Sequence, residues 1–231
     1  MKVPVLLLLV FITKLSFGQD AISEADQFYK AGNHQKAMPL YKQNVSVLNA
    51  RQLYCYARSI EISTNNLDDD FFSAITKAAN QGLDSAQLVL GGFRLQQNDP
   101  KQQDEGINWL QRAAFQGLTD AHIKLGDYYV GVKKDLEKAE SWYRKATLTD
   151  APEAYLALGK YYYNNKQKKT ALPFLLKATE SKNAEVALLL AEFYSEDEPD
   201  SVKAVFYNKQ YIQNSTTLPE YNLGYVNLGK L

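Results

Sequence analysis

Two histidines, one cysteine and two acidic runs are the residues whose types could support chemistry in this 231-residue chain. A zinc site needs three or four converging ligands. Neither His34 nor His122 has a Cys, Asp or Glu beside it at ligand spacing. "DDD" (68–70) and "SEDEPD" (195–200) are rich enough in carboxylates for calcium, but lack the spacing and the glycine of a twelve-residue calcium loop. Both runs stand where helices are expected to start, so capping and the helix dipole account for them. Cys55 is alone, which excludes an internal disulfide, and it reads as a small packed residue. There is no glycine-rich phosphate loop, nucleophile elbow or recognisable carboxylate pair. The expectation is a non-enzyme with no catalytic, cofactor-binding or metal-binding residues.

The ends and the charge bound the remaining classes. "MKVPVLLLLVFITKLSFG" (1–18) has the layout of a secretory leader: Lys2, an apolar Val3–Ile12, then the small residues Ser16 and Gly18. Lys14 interrupts the apolar run well short of the roughly twenty residues that a membrane span needs. No cysteine follows the leader, which argues against a lipoprotein anchor. We therefore expect a signal peptide over 1–18, one repeat domain over 19–231, a periplasmic or extracellular location, and no stable membrane insertion after cleavage. Without Lys2 and Lys14, 24 basic residues face 26 acidic ones, a net charge of −2. That balance gives no broad field for nucleic acid. "NVS" (44–46) and "NST" (214–216) are glycosylation sequons, meaningful only in a host that glycosylates exported proteins.

The elements that would position any site announce themselves by repetition. Small residues at 25, 57, 91, 126, 159, 191 and 224 are separated by 32, 34, 35, 33, 32 and 33 positions. Each marks a helix A; Leu precedes the marker in five of the seven, and an aromatic stands three residues on in four. A second column, Ala139, Trp142, Tyr143 and Ala146, has offsets 0, +3, +4 and +7, the stripe of an amphipathic helix B. The same offsets pick out Ala171, Phe174, Leu175 and Ala178, and Gly106, Trp109, Leu110 and Ala113. The small marker lets helix B approach closely, and the column aromatics, Trp142 included, are expected to fill the groove. Pro39 and Pro173 place the start of helix B near Gln35 and Lys169, and Asp150 with Pro152 predicts a helix start. Gly82 and Gly117, ending "ANQG" and "AFQG", are expected to close their helices. Six hairpins follow, with a closing helix around Pro219–Leu228 and no sheet.

The units "AQLVLGGF…DEGINWLQRAAFQG" and "AHIKLGDYYVGVKKDLEKAESWYRKA" resemble Sel1-like repeats, relatives of tetratricopeptide repeats, most closely over residues 83–178. The first unit, "ADQFYKAGNHQKAMPLYKQ" (25–43), is similar to a plain tetratricopeptide unit. Departures include Arg94 in the place of a Tyr, and a Gly-x-Gly-Val loop reduced to Gly131-Val132. The resemblance implies an all-α solenoid, a superhelix of about six repeats plus a C-terminal helix. It also implies a protein-binding scaffold whose helix A faces line the concave side. Cysteine-rich members of the family have been associated with cell-wall precursors, but their paired cysteines are absent here. An envelope hydrolase or a binder of cell-wall fragments is the alternative reading.

If that geometry carries over, residues one and four positions after each marker face a protein or peptide partner. Those expected to form the surface are Arg58, Glu61, Asp127, Val130, Lys160, Tyr163 and Glu192, with Asp127 to Tyr163 at its centre. Charges mixed with apolar and aromatic groups suit a protein segment better than a polyanion.

Overall fold

The computed structural model describes the backbone of residues 5–216 and the side chains of residues 18–215. The expected closing helix, with its marker Gly224, lies outside the described residues. Within them are twelve α-helices and no strand. In chain order they are α1 (Val5–Lys30), α2 (His34–Gln43), α3 (Ala50–Thr64), α4 (Asp69–Asn80), α5 (Asp84–Leu95), α6 (Pro100–Phe115), α7 (Thr119–Tyr128), α8 (Leu136–Ala146), α9 (Pro152–Asn164), α10 (Lys168–Ala178), α11 (Ala184–Glu196) and α12 (Ser201–Thr216). Odd-numbered helices are the A helices and even-numbered ones the B helices, giving the six expected hairpins. The chain forms two compact units, Met1–Ala121 and His122–Leu231, and each has its own core.

In the first unit Tyr41, Leu53, Phe71 and Ile75 are essentially inaccessible to solvent, in one cluster with the markers Ala25 and Ala57. In the second unit Leu158, Leu175, Leu190 and Phe193 play that part. The markers work as close-contact points. A Cβ added at Gly91 would lie 2.8 Å from Leu110 Cγ, and one added at Gly159 would lie 2.7 Å from Leu175 Cδ2. The partner in each case is the +4 residue of helix B. The +3 residues Trp109, Trp142 and Phe174 are only half-buried, so the expectation that Trp142 fills the groove is corrected. A helix turns about 100° per residue, and one step moves a side chain from the seam to its shoulder. Tyr143, the +4 residue, is the buried one.

Helix ends follow local chemistry. Gly82 and Gly117 adopt φ of +92° and +88°, the left-handed conformation that glycine enters without steric cost. Leu83 N–H then reaches back to Ala78 C=O at 3.2 Å, and Leu118 N–H to Ala113 C=O at 3.2 Å, which closes α4 and α6. Asp68 accepts from Phe71 N–H at 2.9 Å and Asp200 from Lys203 N–H at 3.0 Å, so both acidic runs do supply caps. Three expected details shift. Helices α2 and α10 start at His34 and Lys168, one residue early, and carry Pro39 and Pro173 in their second turn. Asp150 does not cap α9. It sits in the left-handed region and accepts from Tyr155 O–H at 2.5 Å, while Ala151 is the N-cap residue. Third, the reduced Gly131-Val132 loop is a five-residue π-turn, Tyr129–Lys133, closed by Asp135 N–H on Tyr129 C=O at 2.9 Å.

Candidate functional site

The second unit contains a groove of about 480 Å³ between α7 and α9, with Tyr143 of α8 on its floor. Ile123, Val130, Leu156 and Ala157 make its walls apolar, and Asp127, Glu153 and Lys160 carry its charges. Spacing explains the walls. Residues 153, 156, 157, 160, 161 and 164 form one helical stripe of α9, continued by its C-cap Asn165, while Ile123 and Asp127 of α7, with Val130 just beyond it, form the facing stripe. The π-turn carries Val130 and Gly131 at the end of that second stripe, a position where such turns recur in functional sites.

Three of the expected surface residues, Asp127, Val130 and Lys160, are thus brought together. Tyr163 and Glu192 form a neighbouring pair between α9 and α11, with Tyr163 O–H donating to Glu192 Oε2 at 3.0 Å. Arg58 and Glu61 lie in the first unit, in α3, and form an ion pair with each other. Sequence reading misses Ile123, Glu153, Leu156 and Ala157. They lie ahead of the markers, and the repeat pattern assigns only positions after the markers to the surface.

Side-chain partners fix two of the three groove charges. Tyr143 O–H donates to Asp127 Oδ1 at 2.6 Å; burial first and the Asp127 charge next push the phenol well above its usual range. The first unit contains the same device in the same columns, Tyr41 O–H on Asp26 Oδ1 at 2.6 Å. Lys160 Nζ is held by Glu185 Oε1 at 2.7 Å. Behind α9, Tyr162 O–H donates to Glu140 Oε1 at 2.6 Å, and Arg144 binds both groups.

Among the described residues no three His, Cys, Asp or Glu side chains converge to hold a metal. His34 packs edge-on against Tyr29 at 5.0 Å, and its pKa is lowered by burial and then by Arg58. Cys55 is buried, and burial followed by the charge of Asp26 pushes its thiol up, away from thiolate chemistry.

The buried phenols give the fold a pH signature. Burial, then Asp70, pushes Tyr56 up to about 12; burial, then the bond to Glu140, does the same for Tyr162. Unfolded phenols release their protons near pH 10. The unfolded state therefore loses protons first, so stability that is intact below pH 10 falls as pH rises through the window from about 10 to about 12. Urea midpoints measured across that window should fall, and less steeply in Tyr162→Phe. Parallel slopes would contradict this assignment.

No protein-family model matches the chain, and no curated protein matches it. Solved structures do. A Sel1 repeat protein from Oxalobacter formigenes superposes with a TM-score of 0.69 and 25% identity, covering 84% of each chain. A protective antigen of uropathogenic Escherichia coli that displays an SLR fold gives 0.66 and 21%, covering 91% of this chain and 52% of the other. An immunity protein from Pseudomonas aeruginosa gives 0.58 and 18%, covering 86% and 85%. The chain has the fold of Sel1-like repeat proteins, an all-α arrangement of tetratricopeptide-like hairpins. Folds of this type generally mediate protein–protein interaction.

Proposed function

We propose that this protein is an exported, non-catalytic scaffold that binds a protein or peptide partner along its A-helix faces, the concave side in a solenoid. The observation that carries the reading is the groove between α7 and α9, whose apolar walls hold a few charges, of which Asp127 and Lys160 are held in place by Tyr143 and Glu185. That is the composition of a protein-recognition surface, in which apolar contact supplies affinity and placed polar groups supply selectivity. Asp127, Val130 and Lys160 contact the partner there. Tyr163 and Glu192 extend the contact along α9 and α11, and Arg58 and Glu61 serve the first unit separately. Export rests on the leader pattern of residues 1–18. Among the described residues no helix is long and apolar enough to cross a membrane.

The test is capture from envelope extract by the wild type, by Val130→Arg, which fills the groove, and by Lys138→Ala as control. Lys138 is exposed, pairs with Asp135 at the cap of its own helix, and is not part of the groove lining. A stoichiometric protein partner should bind wild type and Lys138→Ala alike and lose tenfold or more in affinity to Val130→Arg, at least about 1.4 kcal/mol. The protein recovered from that fraction should begin at Gln19. Undiminished capture by Val130→Arg would contradict the groove reading, turnover of cell-wall fragments would contradict the non-catalytic one, and an intact leader would contradict export.

A further inference from the structure

The charges of the groove are unequal in availability, and that asymmetry points to the chemistry of the occupant. Lys160 is the only cation on the lining among the described residues, and its ammonium already lies 2.7 Å from Glu185, a residue outside the groove. Glu153 is exposed and enters no ion pair among the described residues. Asp127 receives a hydrogen bond from the uncharged Tyr143 phenol, which orients the carboxylate without neutralising it. With Lys160 paired elsewhere, the groove presents two carboxylates beside Ile123, Val130, Leu156 and Ala157.

We propose that the α7–α9 groove selects an extended peptide segment carrying one Lys or Arg next to aliphatic residues, the cation resting between Asp127 and Glu153. This rests on the groove being the partner-binding surface. The charge complementarity is specific. An acidic segment would meet two uncompensated carboxylates and would have to share a Lys160 ammonium whose charge Glu185 already offsets. A basic segment leaves the Lys160–Glu185 pair intact. A long basic side chain also suits an apolar-walled groove, because its methylenes lie along the wall while its head reaches the carboxylates. A carboxylate pre-oriented by Tyr143 loses little freedom on binding.

The experiment is selection of displayed random nonapeptides on the immobilised protein, repeated on Asp127→Asn/Glu153→Gln and on Val130→Arg. Both substitutions in the double variant preserve side-chain shape, and the amide oxygen introduced in place of the Asp127 carboxylate can still accept from Tyr143. Circular dichroism of each variant confirms folding. On the wild type, one position of the selected peptides should be enriched at least tenfold in Lys or Arg. That enrichment should disappear on the double variant, and binding of the selected peptides should weaken with salt and be lost on Val130→Arg. Peptides blocked by Val130→Arg but without a basic preference, or with an acidic one, overturn the charge inference and leave the groove reading standing. Peptides that bind Val130→Arg as well as wild type, or no enrichment at all, overturn both.

Discussion

Replacing Tyr143 by Ala is expected to lower stability by roughly 3–5 kcal/mol, the range for removing a large buried aromatic side chain. Its ring is 5% exposed, lies under Gly126, and stands 5.5 Å from the ring of Tyr161. The cavity would open between α7, α8 and α9, where the backbone cannot collapse without moving a whole hairpin. Loss of the hydroxyl also leaves Asp127 without its donor. The neighbouring Trp142→Ala, although it deletes more atoms, should cost only about 1 kcal/mol. Trp142 is half-buried, with Lys145 Nζ 4.0 Å above its ring and His122 at 6.0 Å, so solvent fills much of the space it leaves. Urea midpoints of the two variants give the answer. Equal losses would mean that the seam of this hairpin has been assigned to the wrong residue.

Gly126→Leu is expected to be at least as damaging, about 3 kcal/mol or beyond, the upper end for overpacking. Even the first added atom would stand 2.6 Å from Tyr143 Cε1 and 2.8 Å from its Cδ1 and Cζ. The ring cannot swing away, because it is buried and its hydroxyl is tied to Asp127. Alanine is a gentler change here, since the first hairpin combines Ala25 with Tyr41 in the same columns. Gly131→Ala is the control; a Cβ there meets nothing within 4 Å, and it should be close to neutral. Urea midpoints for Gly126→Leu and Gly131→Ala that fall together would show that the spacing of the markers does not reflect close helix contact.

How far the molecule can be read in advance depends on which physical signal each feature leaves in the chain. Close contact demands a small residue, so the rhythm at 25, 57, 91, 126, 159 and 191 exposes all six hairpins. Periodicity is weaker at resolving neighbours: Trp142 and Tyr143 both belong to the apolar stripe, and only tertiary packing decides which enters the seam. The π-turn at Tyr129–Lys133 leaves no pattern of its own, and Asp150 looks like a cap because aspartate suits both caps and left-handed turns. The groove is half legible. Columns one and four after the marker give Asp127, Val130 and Lys160, but a groove has two walls. Glu153, Leu156 and Ala157 belong to the stripe that α9 turns toward α7, and finding them requires knowing which helices are neighbours. Ion pairing is less legible still, because Lys160 and Glu185 are 25 residues apart and belong to different hairpins.

A partner seated in the groove between α7 and α9 must come within reach of Asn164, an exposed residue of its lining. Lys138 on α8 lies off that lining. A photo-crosslinking amino acid placed at Asn164, and separately at Lys138, therefore decides where the partner sits. Irradiation in envelope extract should join one protein of defined mass to the Asn164 position and none to Lys138. A crosslink from Lys138 with none from Asn164 would put the partner on the B-helix side and contradict the groove reading.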